Sequence, residues 1–416
     1  MYIKCEANRM NQLVKNRQFV LLLGGQGISI LGDQIYYIGL MWTIMKQTGS
    51  AMSLGMSVFC MTLPSILVMP WAGVFADRNI KKQILIISDF FRGLIMFVIA
   101  FLTLEGHFSL IAINLFLALI SAMNAFFSPA LSSTIPLILD KNNLSKGNAV
   151  FEFIRRFSTI CGPVIGGILI SFLSISSVFA LNGLSFIISF FFSLFLKVPA
   201  VSQPEHSESF LTRFKEGFFY TLRMKRLLCL TLVGGVIINF FLAPVEIFLV
   251  VISHQLKFGS AGLGWIDAAI SIGALLGALT IFFGKTGHLI RMAMIGLVME
   301  GVALMLAGLL PDFISMAVFF GLLGLGVSFA SIGIGTTSQL ITEDDKRGRV
   351  NSFGAMLSSS TVPLGTLFGS FLVGQLPVHW ILVCFGLIVA GSGMTLYFPF
   401  KKELLGTETK NGLTNQ

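Results

Sequence analysis

The sequence predicts an all-α polytopic membrane protein of twelve transmembrane helices in two six-helix bundles, with both termini cytoplasmic. Three observations carry that expectation: the composition, the spacing of the apolar runs and the placement of the basic residues. Of 416 residues, 55% are hydrophobic and only 11% charged, and the mean hydropathy is +0.87. Soluble domains carry about 25% charged residues, and a water-soluble fold has nowhere to hide so much apolar surface.

Runs long enough to cross a bilayer, roughly 17–25 residues, fall at 18–43, 51–75, 83–104, 108–130, 147–172 and 177–197. A second set falls at 227–252, 262–283, 290–310, 313–340, 351–374 and 379–400. They divide the chain into an N-terminal bundle (1–197), a cytoplasmic linker (198–226), a C-terminal bundle (227–402) and a cytoplasmic tail (403–416). Lys15 and Arg17 precede the first run as in a signal peptide, but that run contains Asp33 and no A-x-A site, so it is expected to stay as an uncleaved first helix.

Orientation follows from Lys and Arg. With the N-terminus inside, 23 of the 28 basic residues fall on the cytoplasmic side, and the outside loops hold only Lys46 and Lys257. The net charge of +9 is therefore a topology signal, and no nucleic-acid partner is expected. Of the five cysteines, Cys60, Cys161, Cys229 and Cys384 lie in apolar runs and none forms a CxxC pair, which argues against a disulfide framework or a metal site. Within the linker, Phe210, Phe214, Phe218 and Leu222 recur every four residues among Arg213, Lys215, Arg223, Lys225 and Arg226. That pattern reads as an amphipathic helix at the cytoplasmic membrane surface, or as a solvated linker helix.

The halves also resemble each other in parallel. Gly49-Ser50-Ala51 with Leu54-Gly55 returns as Gly259-Ser260-Ala261 with Leu263-Gly264, and a displacement of 203 residues carries Asn148, Gly162 and Gly166 onto Asn351, Gly365 and Gly369. Such symmetry marks transporters built from two related halves, with the binding site near the midplane.

After the second run comes Gly73-Val-Phe-Ala-Asp77-Arg78-Asn-Ile-Lys81-Lys82. It resembles the loop-2/3 signature of the major facilitator superfamily, with Ile80 where many members have glycine. The resemblance implies a cytoplasmic gate: Gly73 for close helix approach, Asp77 against the positive end of the helix that follows Arg347 and Arg349, and the basic residues as a clamp. The fifth run contains Gly162-Pro163-Val-Ile-Gly166-Gly167, similar to the antiporter motif of that superfamily, with Ser158 in place of its leading glycine. Proline kinks a helix and glycines let it pack tightly, whereas the plainer reading is a membrane-helix proline among small packing residues. Trp42 to Ser50, Leu63-Pro64, Asp89 with Arg92, Phe127 to Ala130 and Arg347 to Val350 further resemble the macrolide-efflux and enterobactin-exporter branch.

Charges inside spans cost roughly 2.5–3.5 kcal/mol on insertion scales, so each needs a reason. Asp33 shares a stripe with Gln26, Ser29 and Tyr36, and Glu246 shares a face with Asn239 beside Pro244. Polar stripes also mark the fourth run (Asn114, Ser121, Asn124, Ser128), the tenth (Ser328, Ser331, Gly335, Ser338) and the sixth (Asn182, Ser185, Ser189, Ser193). In the resembled fold, helices 1, 4, 7 and 10 line the central cavity. Asp33 is thus the leading candidate for a protonatable coupling residue and Glu246 the second, each against the alternative of a carboxylate held by a structural partner. Glu152, Arg155 and Arg156 can pair locally, leaving one arginine to meet Asp33, Asp89 or an anionic substrate. Asp89 and Arg92 read as a local pair at the cytoplasmic end, and Glu300 has no evident partner.

The expected function is proton-coupled export of amphipathic drugs, peptide antibiotics or siderophores by a monomer in a bacterial inner membrane. Import, lipid or metabolite flipping, and a non-transporting sensor are the alternatives. Gly284-Lys285-Thr286 mimics the end of a P-loop, but Leu279 holds the first glycine position, so no nucleotide or other cofactor is expected. All five histidines lie at loops or span ends without metal spacing, so neither metal nor enzyme activity is expected.

Overall fold

The computed structural model describes residue 13 and residues 15–76, 80–107, 109–199, 210–284 and 288–404. Among these, every regular element is helical. In chain order they are α1 (Arg17–Thr48), α2 (Ala51–Ala76), α3 (Lys81–Leu104), α4 (Leu110–Ile138), α5 (Lys141–Phe172) and α6 (Ile175–Leu194). The linker forms α7 (Phe210–Arg223). Then come α8 (Lys225–Thr231), a π-helical turn (Leu232–Ile237), α9 (Ile238–Leu242) and α10 (Val245–Gln255). The chain continues with α11 (Gly259–Phe283), α12 (Leu289–Leu309), α13 (Phe313–Ile341), α14 (Arg347–Val373), α15 (Val378–Thr395) and α16 (Tyr397–Leu404).

Eleven stretches among the described residues are long and apolar enough to cross a membrane: α2 to α6, the composite 225–255, α11 to α14, and 378–401. The 32-residue α1 is not among them. Gln26, Asp33, Gln34 and several glycines dilute its hydropathy, so the stripe that singles it out chemically also weakens it as a span. Its start is well made: the Asn16 side chain accepts from the Gln18 and Phe19 amides and donates to the Ile138 carbonyl at 2.8 Å, tying α1 to the end of α4. Gly49 ends it in the left-handed conformation, φ 62°.

Two elements depart from the expected runs. The fourth run, expected to end at 130, continues to Ile138, and Ser132, Ser133 and Thr134 satisfy their hydroxyls within it on the carbonyls of residues 128–130. The seventh run is broken rather than continuous. Pro244 has no N–H to offer the Phe240 carbonyl, and the Asn239 amide donates to Gly234 O at 2.8 Å, alongside the π turn.

The chain falls into two compact units, Met1–Ser207 with Phe258–Ala268, and Glu208–Lys257 with Ala269–Gln416. In the first, α1 packs on α5 and α6, α2 on α4, and α3 on α4 and α6. In the second, the π turn and α9 pack on α14, and α12 packs on α13 and α15. Ser328 of α13 donates to Ala274 O of α11, as Ser57 of α2 donates to Asn114 of α4. The repeated glycines act alike in both units. A Cβ on Gly162 or Gly166 would meet Gln34 or Ile35 of α1, and one on Gly365 or Gly369 would meet Phe240 or Pro244 of the broken helix. Each pair brings two helices within backbone contact.

Part of the apolar face of α7 lies on protein. Phe214 and Phe218 meet Phe353 of α14 edge-on with ring centroids at 5.4 and 5.5 Å, and Arg349 pairs with Glu216. The two rings thus seat the linker helix on α14. Phe219 and Leu222 remain exposed.

Candidate functional site

Within the first unit, α1, α3, α4 and α6 converge on one buried polar chain. Gln26 donates to Ser189 Oγ at 3.0 Å, and Ser189 donates to Asp89 Oδ2 at 2.7 Å. Arg92 pairs with Asp89 and donates to Asn124 Oδ1 at 2.8 Å. Asp89 and Ser189 are 0% exposed, and Gln26 and Arg92 are 3% exposed. The guanidinium also lies 4.0 Å from the Phe127 ring centroid and 4.5 Å from that of Phe186, a stacking that suits a weakly hydrated cation. An ion pair taken out of water is tolerated only when its remaining donors and acceptors are occupied. Here they are.

Asp33 stands beside this chain and outside it. Asn182 of α6 donates to its carboxylate at 3.2 Å, and Ser185 braces Asn182. Gly32 makes the approach possible, since a Cβ there would lie 2.5 Å from Ser185 Oγ. Asp33 is half-buried, and among the described residues no cation stands at ion-pair distance from it.

Several expected site residues lie elsewhere. Glu152 takes Arg155 through two contacts of 2.7 Å and Arg156 through one of 2.8 Å, all half-exposed. Neither arginine is left over to meet Asp33 or Asp89, because one carboxylate has enough lone pairs for both. Asn114 and Ser121 are used in packing against α2. Glu246 is exposed, whereas Asn239 faces a cavity of about 390 Å³ in the second unit. Of the gate residues, Gly73 lies near the end of α2, and Asp77 and Arg78 fall outside the described residues. Lys81 is buried, and Lys82 donates to the Leu194 carbonyl at 2.8 Å.

The α5 motif sits at a tight seam. A Cβ on Gly167 would meet Ser260 O at 2.4 Å, and one on Gly264 would meet Pro163 O at 2.3 Å. Ser260 Oγ donates to the Gly167 carbonyl at 2.9 Å. Residues 258–268 belong to the first unit, so this packing is internal to it.

A model of the Major Facilitator Superfamily matches residues 22–288. The chain belongs to that superfamily. It is thus a small-molecule transporter rather than an enzyme, and a multi-pass membrane protein. It is 26% identical over 385 residues to "Macrolide efflux protein A" of Streptococcus pyogenes, covering 89% of this chain and 93% of that one. It is 25% identical over 385 residues to "Multidrug efflux pump Tap" of Mycolicibacterium fortuitum, covering 90% and 93%. Among solved structures, a bacterial homologue of the iron transporter ferroportin in its inward-facing state superposes with a TM-score of 0.71 at 16% identity, covering 92% of this chain and 99% of that one. The nucleoside transporter NupG gives 0.70 at 15% identity, covering 93% and 99%. Both are similar in fold.

Sequence reasoning missed the α6 stripe as a functional face. Asn182 and Ser189 were visible at helical spacing, but small polar residues also serve plain packing. Asp89 and Arg92 were placed at the membrane edge. Asp89 lies eight residues into α3, about 12 Å along its axis, which is the signal that points to burial.

Proposed function

We propose that the protein exports amphipathic small molecules in exchange for protons, working by alternating access of a twelve-helix fold with both termini cytoplasmic. In this reading α1 is the twelfth crossing, the two bundles span 1–197 and 227–402, and segment 198–226 joins them on the inner face. The carrying observation is the contrast around Asp33. In the buried chain beside it every charge has an opposite partner, while Asp33 has the Asn182 amide alone. A half-buried acid without a cation is the group able to take up and release a proton as the site changes sides. The Gln26–Ser189–Asp89–Arg92–Asn124 chain, neutral as a whole, braces the helices around it.

Efflux as the direction is supported by relatives named for macrolide and multidrug efflux. The tight α5 seam at Gly167 and Ser260 suits a helix that seals against leakage, and Gly73, Asp77, Arg78, Lys81 and Lys82 serve as the inner gate. The energetics suffice. One proton moving down 100 mV supplies about 2.3 kcal/mol, which at about 1.4 kcal/mol per decade supports a gradient of about forty-fold.

The test uses everted vesicles with erythromycin and a panel of amphipathic dyes. Wild-type vesicles are expected to accumulate at least one of them when the interior is acidified, and Asp33→Asn vesicles are not. Accumulation that ignores both the pH gradient and the substitution refutes the proposal.

A further inference from the structure

Helix α7 has two unlike faces. Phe214, Gly217, Phe218 and Thr221 recur at helical spacing and turn inward. The two rings meet Phe353, and Thr221 is fully buried. A Cβ on Gly217 would lie 2.2 Å from the Arg349 carbonyl oxygen, so α14 is seated directly on the α7 backbone. That grip fixes which residues turn outward: Lys215, Phe219, Leu222 and Arg223, at i, i+4, i+7 and i+8. Phe219 is 56% and Leu222 45% exposed, and the two cations are exposed with them. Lys225, two residues beyond Arg223, is exposed as well. The one acid of α7, Glu216, is spent on Arg349. Among the described residues, the side chains of Lys215, Arg223 and Lys225 have no ion-pair or hydrogen-bond partner. The outward face therefore carries positive charge only, around two uncovered apolar side chains.

Connectivity decides what this face can reach. Only Met224 separates α7 from α8, and α8 opens the stretch Lys225–Gln255, which is long and apolar enough to cross a membrane. The end of α7 is thus tethered at a membrane surface. Water leaves Phe219 and Leu222 uncovered, and a second copy of this face would set like charges against each other. The boundary between lipid headgroups and acyl chains satisfies both kinds of residue, taking the apolar side chains while Lys and Arg keep their charges among the phosphates. We propose that the outward face of α7 is a docking surface for anionic phospholipid, with Lys215, Arg223 and Lys225 on the headgroup phosphates and Phe219 and Leu222 among the upper acyl carbons. A zwitterionic lipid offers the same chains, but its own headgroup cation offsets the phosphate, so three unpaired cations select for net negative charge. The proposal needs 225–255 to cross the membrane and is independent of what the protein transports.

The experiment uses the full-length protein in lipid nanodiscs, with Phe219→Trp as a fluorescent reporter on the exposed face. Its emission is read as the difference from wild-type protein, so that Trp42, Trp71, Trp265 and Trp380 cancel. The quencher is acyl-brominated phosphatidylglycerol or acyl-brominated phosphatidylcholine, each diluted into plain phosphatidylcholine. The reporter is expected to be quenched as strongly by the brominated anionic lipid at about one lipid in ten as by the brominated zwitterionic lipid at about one in two. That is an enrichment of about fivefold, the effect of a single cation at an anionic surface. Adding Lys215→Gln, Arg223→Gln and Lys225→Gln is expected to bring the two lipids to parity. Equal quenching by the two lipids at equal mole fraction, with the three cations intact, overturns the proposal. So does a reporter that neither lipid quenches, or a preference that survives the triple substitution. The first two readings leave the cations in place and stand whether or not the triple variant folds. Export is judged separately, by the vesicle assay.

Discussion

The two units share a scaffold and differ in how they treat charge. In each, a pair of glycines brings two helices together: Gly162 and Gly166 set α5 on α1, and Gly365 and Gly369 set α14 on the broken helix at Phe240 and Pro244. The first unit buries the Asp89–Arg92 pair with further hydrogen bonds to both members, and the second buries Glu300, whose two oxygens have no partner among the described residues. Small residues at helix crossings are thus the repeated element and charges the individual one. Packing fixes the frame, and the ionisable groups specialise each half.

The sharpest break in this comparison is Arg92→Met. It strands Asp89 in a dry site and is expected to destabilise the first unit by about 3–5 kcal/mol, read as a fall in melting temperature in detergent. The double variant Arg92→Met/Asp89→Leu should recover most of that loss, since an apolar pair of similar volume replaces a buried ion pair at little penalty.

Next come the repeated glycines. Gly365→Ala puts a methyl 2.1 Å from the Phe240 carbonyl, and Gly162→Ala puts one 2.3 Å from Gln34 Cβ. Each is expected to cost about 1–3 kcal/mol. The cost at Gly365 should be larger because its methyl would meet three backbone atoms of Phe240 within 2.8 Å, whereas that at Gly162 meets only Gln34 Cβ so closely. Thermal melts of the two variants side by side check the order, and equal tolerance would mean that the repeat is not structural.

The smallest effect belongs to Glu152→Gln. Its ion pairs are about half exposed, so the melting temperature should move by the equivalent of less than about 1 kcal/mol.

Most of the helical plan was legible in the sequence, because apolar runs of membrane length leave few alternatives. The misses share a cause. Hydropathy cannot show which way a short polar side chain turns, so Asn114 and Asn124 looked alike on α4, yet one packs on Ser57 of α2 and the other receives Arg92. Arg155 and Arg156 looked available because pairing was counted one to one, while Glu152 accepts both. The break at 232–244 was hinted at by Pro244, but the π turn depends on the Asn239 amide, a side-chain choice with no local signature. Glu300 was visible as a lone acid. Its cavity was not, because that space is bounded by segments more than a hundred residues apart, from Leu230 to Ser358.

Purified protein reconstituted into liposomes with a trapped pH dye offers the most direct test of the central claim. An outward gradient of a transported substrate should drive protons in the opposite direction in the wild type, and Asp33→Asn should abolish that proton flow while still binding substrate. Proton movement of undiminished size in Asp33→Asn liposomes, or substrate flux with no accompanying protons in the wild type, would contradict it.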